Sequence, residues 1–316
     1  KNGAYIATKK RVKSVSMVVS FLETLEEKFR TQSNKMLFTF ITKNKSRAKN
    51  DTDSSLFTES SSLTYGQLFE GSAKLAKSLL EMNSRNGCTI LKKGDRVLLV
   101  YPPSLEFIIA FIACLIAGII PVPVFPPEPT VFLLPESNNS DSSHDINSSD
   151  KRVRERQIFD TIRDAAGAKI ALTSNFYKAA MRTTANLNAA MTLQFSSLSL
   201  FGESSLTSVA SLHWLASDDI LTRLADCPFV AEDAHRMIIS VGDGVAFLQF
   251  TSGSTSTPKG VVITHKNLAH NMSLIVSPKV LNASNDTGFQ SNVHEAGKVT
   301  YAIFMFISFA HNSSIF

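Results

Sequence analysis

Cysteine is scarce in this chain of 316 residues, which contains Cys88, Cys114 and Cys227 and no others. The three are far apart, form no CxxC pair and have no histidine beside them. This spacing argues against a disulfide framework and against a zinc site. A reducing compartment is the simplest setting for such a chain, so we expect a cytoplasmic protein.

Long apolar runs are also lacking. The most apolar stretch, FIIAFIACLIAGII at 107–120, has 14 residues and is followed by Pro121. As a helix it would span about 21 Å, at roughly 1.5 Å per residue, against a bilayer core of about 30 Å. We therefore predict a buried helix here and no transmembrane segment. The N-terminal SMVVSFLETLEE turns acidic too early to be the core of a signal peptide.

The body of the chain has no excess of charge of one sign. Of its 32 basic side chains, five lie within residues 1–13, which hold no acid, so 27 basic groups balance the 27 acidic ones elsewhere. Such a balance gives no global attraction to nucleic acid or to an anionic membrane. We expect residues 1–19 to be a solvated basic tail, and we expect no nucleic-acid partner.

Patterns of helices and strands begin directly after this tail. Apolar residues share one helical face over 20–30, and a short strand is predicted over 36–41. The Lys, Asn, Asp and Ser composition of 43–62 predicts a loop. Thr64 is a candidate cap for the helix that follows it, in which Leu68, Leu75, Leu79 and Met82 lie on one side.

The middle of the chain predicts a parallel sheet. A fully apolar strand over 97–100, a helix over 104–117 and a strand over 120–124 form a parallel crossover unit. A helix is expected from about Arg152 to Gly167. Further strands are predicted at 168–173, within SLHWLASDDI, and at 245–250. The predicted fold class is therefore α/β, with a largely parallel sheet flanked by helices.

One tract has a composition that cannot form a core. Residues 137–150, SNNSDSSHDINSSD, are almost entirely Ser, Asn and Asp. Burial of these residues would not offset the conformational entropy lost on ordering. We expect this tract to be a disordered insert.

The segment TSGSTSTPKG at 251–260 is rich in groups that bind anions. It lies between the apolar VAFLQF and the β-branched VVITH, so we predict that it joins two strands. Loops of this composition can turn backbone N–H groups inward, and the hydroxyls and Lys259 add further donors. Phosphate oxygens are the natural ligand.

Two other interpretations of this segment have to be weighed against its sequence. A Walker A loop needs Gly directly before its Lys and a helix directly after it, whereas Pro258 precedes Lys259 and a strand is predicted to follow. An ordinary kinase or GTPase loop is therefore disfavoured. On composition alone, a solvated Ser/Thr hairpin without a ligand remains open.

The longer segment FTSGSTSTPKGVVITHKNL resembles the phosphate-binding signature of the adenylate-forming superfamily of acyl-CoA synthetases, adenylation domains and fatty acyl-AMP ligases. Thr257 departs from it, since the family commonly has an acidic or other polar residue there. Upstream blocks occur in the family's order, and PVPVFPPEP, DAAGAKIALT and LHWLASDDI resemble the fatty acyl-AMP ligase branch. The resemblance extends over about residues 20–275.

This resemblance implies a reaction and a set of ligand-binding residues. A fatty or other carboxylic acid would attack the α-phosphate of ATP, giving an acyl-adenylate and pyrophosphate, with CoA, an acyl-carrier protein or an amine as the later acceptor. Mg²⁺ would accompany ATP and contact Thr255. The residues expected to bind the ATP phosphates are Thr251, Ser252, Gly253, Ser254, Thr255, Lys259 and Gly260.

The superfamily's later motifs are missing from this sequence. These are a Tyr-His pair, a Tyr-Gly-x-Thr-Glu stretch, an Asp for the ribose and a catalytic Lys, so no catalytic residue is identified. We expect residues 20–298 to be an incomplete, truncated adenylation domain and residues 299–316 to be an apolar tail outside the family pattern. Two hypotheses follow: part of a fatty acyl-AMP ligase, or a non-catalytic module that binds nucleotide at most.

Overall fold

A computed structural model of the chain describes residues 20–43, 57–82, 91–133, 151–184, 212–251 and 258–275. The strands are β1 (Met36–Lys43), β2 (Phe57–Thr64), β3 (Arg96–Val100), β4 (Ile120–Val124), β5 (Ile170–Thr173), β6 (His213–Ala216), β7 (Val245–Thr251) and β8 (Lys259–Thr264). The helices are α1 (Phe21–Gln32), α2 (Tyr65–Glu81), α3 (Leu105–Ala117), α4 (Lys151–Ala166), α5 (175–184), α6 (Ser217–Arg223), α7 (Ala231–Ile239) and α8 (His265–Ile275), with a 3₁₀ turn at Pro129–Leu133.

Four strands form a parallel sheet in the order β4-β3-β5-β6. Leu98 of β3 is paired with Val122 of β4 on one side and with Ala171 of β5 on the other. The chain thus leaves β3 in one direction to form β4 and later returns to its opposite side to form β5 and β6. This is a doubly wound arrangement, and it confirms the predicted parallel crossover and the α/β class.

Both faces of this sheet are buried, which explains the uninterrupted apolar run of β3. Val97 and Leu99 point into a core shared with α2 and α3, whereas Leu98 and Val100 point into a second core shared with α4 and α5. All four side chains are fully buried. A strand buried on both faces needs apolar residues at every position rather than at alternate ones.

The start of α2 and the end of α4 follow the caps predicted at Thr64 and Gly167. The Gln67 backbone N–H donates to Thr64 Oγ1 (3.1 Å), and the Thr64 N–H donates to Gln67 Oε1 (2.9 Å), so α2 begins with a capping box. Gly118 and Gly167 follow α3 and α4 in the left-handed region, with φ of 67° and 62°. That conformation costs glycine little and ends each helix.

One predicted loop is wrong at its end. Within 43–62, residues from Phe57 onwards belong to β2, which pairs antiparallel with β1. Leu63 is aligned with Phe38 and is buried. The Ser-rich composition of this segment has a low preference for strands, but an apolar partner strand supplied from elsewhere in the chain overrides local composition.

The structure contains no described helix that combines the length and the apolar character needed to cross a membrane. The basic tail 1–19, the insert 137–150 and the tail 299–316 lie outside the described residues.

Candidate functional site

The segment at 251–260 connects the two strands of an antiparallel hairpin. Strands β7 and β8 pair with Thr251 opposite Lys259 and Phe250 opposite Gly260. The next helix, α8, begins only at His265. This confirms that the segment joins two strands, and it is incompatible with a Walker A loop, whose helix starts directly after the Lys.

The structure brings three of the predicted phosphate ligands together. Thr251 and Lys259 are the last paired positions of the hairpin, and Gly260 is the next position along β8. The Lys259 side chain is exposed to solvent. The other predicted ligands, Ser252, Gly253, Ser254 and Thr255, lie outside the described residues. The phosphate-binding role of all seven stays a prediction.

Gly260 has a structural neighbour that the sequence interpretation missed. A Cβ atom at this position would lie 2.9 Å from Cζ of Phe250 and 3.2 and 3.3 Å from its two Cε atoms. Carbon atoms do not approach this closely without displacement, so the Phe250 ring occupies the space that a side chain at 260 would need. The available signal was an aromatic residue opposite a glycine in the hairpin register.

The Phe250 ring connects the hairpin to the parallel sheet. It is only 6% exposed and belongs to the second core, together with Val100, Val124 and Trp214. Strand β7 also lies beside β4. The loop end of the hairpin is therefore supported by a packed core rather than projecting freely into solvent.

The other end of β8 is fixed by hydrogen bonds. The His265 N–H donates to the Gly244 carbonyl (3.1 Å), and Thr264 and Asn267 form a capping box at the start of α8. The His265 side chain is buried, and this burial lowers its pKa, an effect that the Asp243 carboxylate partly offsets. A neutral imidazole is favoured here, so His265 acts as part of the packing.

The carboxyl end of the parallel sheet, where ligands of open α/β sheets often bind, is tied together by its own polar groups. The Tyr101 hydroxyl donates to Ser217 Oγ (2.8 Å), and Thr173 Oγ1 donates to the Val100 carbonyl (2.5 Å). The Asn175 N–H donates to the Asp218 carboxylate, at 2.8 and 3.0 Å to its two oxygens. Burial raises the pKa of Tyr101 well above its ordinary value. These groups connect β3, β5 and β6 and serve the fold.

The Lys259 side chain places a positive charge at the loop end of the hairpin. The described residues contain no cluster of three or more His, Cys, Asp or Glu side chains placed to hold a metal ion. Mg²⁺ prefers oxygen ligands and retains several waters, so it usually binds through substrate phosphates. An exposed ammonium group at the end of a hydroxyl-rich hairpin instead matches the charge of a polyphosphate.

The chain belongs to the AMP-binding enzyme family, whose model matches residues 43–314. This is the adenylate-forming class that the signature and the upstream blocks resemble.

Curated relatives in this family include fatty-acid ligases. The medium-chain-fatty-acid–[acyl-carrier-protein] ligase JamA of Moorena producens is 32% identical over 218 residues, which cover 69% of this chain and 28% of that protein. The putative fatty-acid–CoA ligase fadD25 of Mycobacterium tuberculosis is 28% identical over 218 residues, or 68% of this chain and 28% of that one. The chain thus spans little more than a quarter of the length of these relatives.

A solved structure shares the fold. The crystal structure of fatty acyl-adenylate ligase from L. pneumophila, in complex with acyl adenylate and pyrophosphate, superimposes with a TM-score of 0.51. The match is 22% identical and covers 90% of this chain and 38% of that one. At this identity the likeness concerns the fold, and it agrees with the α/β architecture described above.

Proposed function

We propose that this chain supplies the ATP-phosphate-binding part of an enzyme that activates a fatty acid to its acyl-adenylate. The observation that carries the proposal is the pairing of Thr251 with Lys259 at the loop end of the hairpin, in a chain of the AMP-binding enzyme family. Relatives named as fatty-acid ligases point to a fatty acid as the substrate.

The reaction places specific demands on this hairpin. A carboxylate oxygen of the acid bonds to the α-phosphorus of ATP, the bond from that phosphorus to the oxygen bridging the β-phosphorus breaks, and pyrophosphate leaves with the bonding electrons. Charge therefore accumulates on the departing pyrophosphate. Catalysis of such a step consists mainly of positioning the reactants and stabilising that charge.

The residues of the hairpin would meet these demands in different ways. Lys259 would place a compact positive charge beside the β- and γ-phosphates, and the hydroxyls of Thr251, Ser252, Ser254 and Thr255 would donate hydrogen bonds. Gly253 would allow the loop backbone to approach the phosphates closely. Mg²⁺ would be held through ATP oxygens and the Thr255 hydroxyl, and would neutralise phosphate charge.

A thiol is the acceptor that the names of the relatives favour. One is a ligase to acyl-carrier protein and another a putative ligase to CoA. We propose that the acyl group passes from the adenylate to a thiol of one of these two kinds. Supplying purified acyl-carrier protein or CoA to the preformed adenylate distinguishes them.

The test is fatty-acid-dependent exchange of pyrophosphate into ATP. We would measure it with short-, medium- and long-chain acids on the 316-residue chain and on the product of the longest transcript that contains it. Exchange that requires the acid supports the proposal. ATP binding with no acid-dependent exchange in either protein supports the alternative, a non-catalytic nucleotide-binding module.

A further inference from the structure

We propose that Phe250 is a positioning residue for the phosphate-binding loop, an inference that rests on the function proposed above. Its ring lies across Gly260 and sets how far apart the two strand ends are held. Phe250 directly precedes Thr251, and Gly260 directly follows Lys259. The contact therefore lies immediately beneath the two residues from which the loop departs.

The Phe250 ring leaves no room for a side chain at position 260. The distances from an added Cβ at position 260 to the Phe250 ring are 2.9, 3.2 and 3.3 Å, and all three involve the far end of the ring. A methyl group there would have to displace the ring or push β8 away from β7. Glycine is thus required at 260 by the position of the ring.

The core around Phe250 holds the ring in place. Phe250 is 6% exposed and packs in the second core, among side chains from four strands and from α4 and α5. Cores of this kind are filled to the density of organic crystals, so a large ring has little space into which it can move. Relief of the clash would fall mainly on the backbone of β8, and β8 lies on the solvent side, where Val261 and Val262 are 46% and 55% exposed.

The contact of Phe250 with Gly260 bears on ligand binding through the loop that connects the two strands. Residues 252–258 run between Thr251 and Lys259, which are opposite each other in the hairpin register. The separation of those two positions fixes the span that the loop must close. A loop that surrounds phosphates depends on the placement of its donors to within about 1 Å. The Phe250 ring therefore acts on the phosphates through the loop, without touching them.

A double-mutant cycle on the 316-residue chain tests this inference. Gly260→Ala, Phe250→Leu and the double variant are compared with the wild type by calorimetric titration with ATP. Gly260→Ala is expected to weaken ATP binding about tenfold, whereas in the double variant the smaller Leu leaves room for the new methyl group, so affinity returns to that of Phe250→Leu. Additive effects of the two changes would overturn the inference.

Two control variants separate positioning from a general loss of packing. Phe159→Leu removes a similar ring from the same core but far along the chain from the hairpin, and Gly71→Ala adds a methyl group that would meet only an ordinary contact, 3.7 Å from Ile109 Cγ2. Both are expected to bind ATP as the wild type does, even if Phe159→Leu lowers the melting temperature. Phe250→Met, which keeps most of the volume, replaces Phe250→Leu if the latter does not fold.

Amide hydrogen exchange of the peptide spanning 245–264 gives a readout that does not depend on nucleotide. Gly260→Ala is expected to speed exchange in this peptide at least threefold, and the double variant is expected to restore the slower rate. If Gly260→Ala leaves exchange unchanged, the ring does not hold the strand ends and the inference is wrong. The wild type could bind no ATP while amide hydrogen exchange still shows that positions 250 and 260 are coupled. In that case the proposed function fails and the positioning contact stands.

Discussion

The Thr264 hydroxyl donates a hydrogen bond of 2.7 Å to Asn267 Oδ1, and the Asn267 backbone N–H donates one of 3.1 Å to Thr264 Oγ1. The Thr264 N–H also donates to the same amide oxygen, at 3.0 Å. Thr264 is the last residue of β8, and Asn267 lies in the first turn of α8. These bonds therefore fix the direction in which the chain leaves the hairpin of β7 and β8.

Removing this cap should destabilise the protein moderately. Replacing Asn267 by Ala leaves the Thr264 N–H without its side-chain acceptor, and loss of a helix cap typically costs about 0.5–2 kcal/mol. Urea unfolding is the measurement. Asn271→Ala, an exposed change further along the same helix, should leave the free energy of unfolding unchanged or slightly raised. Equal losses in the two variants would contradict the role given to the cap.

Acid should destabilise the folded chain through His265. Burial lowers the pKa of this side chain below its ordinary value of 6.5, so the unfolded chain takes up a proton that the folded chain resists. The contribution of the neutral His265 side chain to the free energy of unfolding is fully present above pH 6.5 and is lost as the pH falls below this value. His265→Gln should flatten the fall in melting temperature on acidification.

The matched control is His270→Gln, since His270 is exposed on the same helix. This variant should keep the pH dependence of the wild type. Melting temperatures that fall equally with acid in the wild type and in both histidine variants would show that other groups govern the acid response.

Two glycines of α2 should respond oppositely to the same substitution. A Cβ at Gly66 would overlap Ser33 Oγ and would lie 3.1 Å from the Ser33 carbonyl oxygen, which accepts the Gly66 N–H. Gly66→Ala must displace this contact and should cost about 1–3 kcal/mol. Gly71→Ala meets no close atom and should gain up to about 1 kcal/mol from helix propensity. Thermal unfolding of both variants checks the sign of each change.

The thiols of Cys114 and Cys227 should differ strongly in reactivity. Cys114 is fully buried in α3, and burial raises its pKa to about 12, whereas Cys227 is exposed. Because the thiolate is the reactive form, iodoacetamide at neutral pH should label Cys227 in the native protein and Cys114 only after unfolding. Peptide mass spectrometry measures both sites, and rapid native labelling of Cys114 would contradict the packing of α3.

Local signals in the sequence were sufficient to predict the parallel sheet and the helices beside it. The unbroken apolar run of β3 predicts burial on both faces, Thr64 predicts the start of α2, and Gly167 predicts the end of α4. Each of these depends on residues within a few positions of one another. The same is true of the hairpin, since apolar strands flank the hydroxyl-rich segment on both sides.

Pairing between distant segments could not be predicted in the same way. The strand character of Phe57–Thr64 depends on β1, and composition alone indicated a loop. The contact of Phe250 with Gly260 depends on the exact hairpin register, because a shift by one residue would turn the ring to the other face of the hairpin. The sequence interpretation assigned Gly260 to phosphate binding, and it missed the Phe250 ring, which leaves room only for glycine at this position.

The most direct test of the central claim, that this hairpin binds the phosphates of ATP, is the affinity of the 316-residue chain for ATP before and after Lys259→Ala. A hydrogen bond from a charged group contributes about 1.5–3 kcal/mol, so the substitution should weaken ATP binding roughly 10- to 100-fold. The control is Lys266→Ala, an exposed lysine at the start of α8, which should leave the affinity unchanged. An affinity for ATP that is equal in the wild type and in Lys259→Ala would contradict the claim.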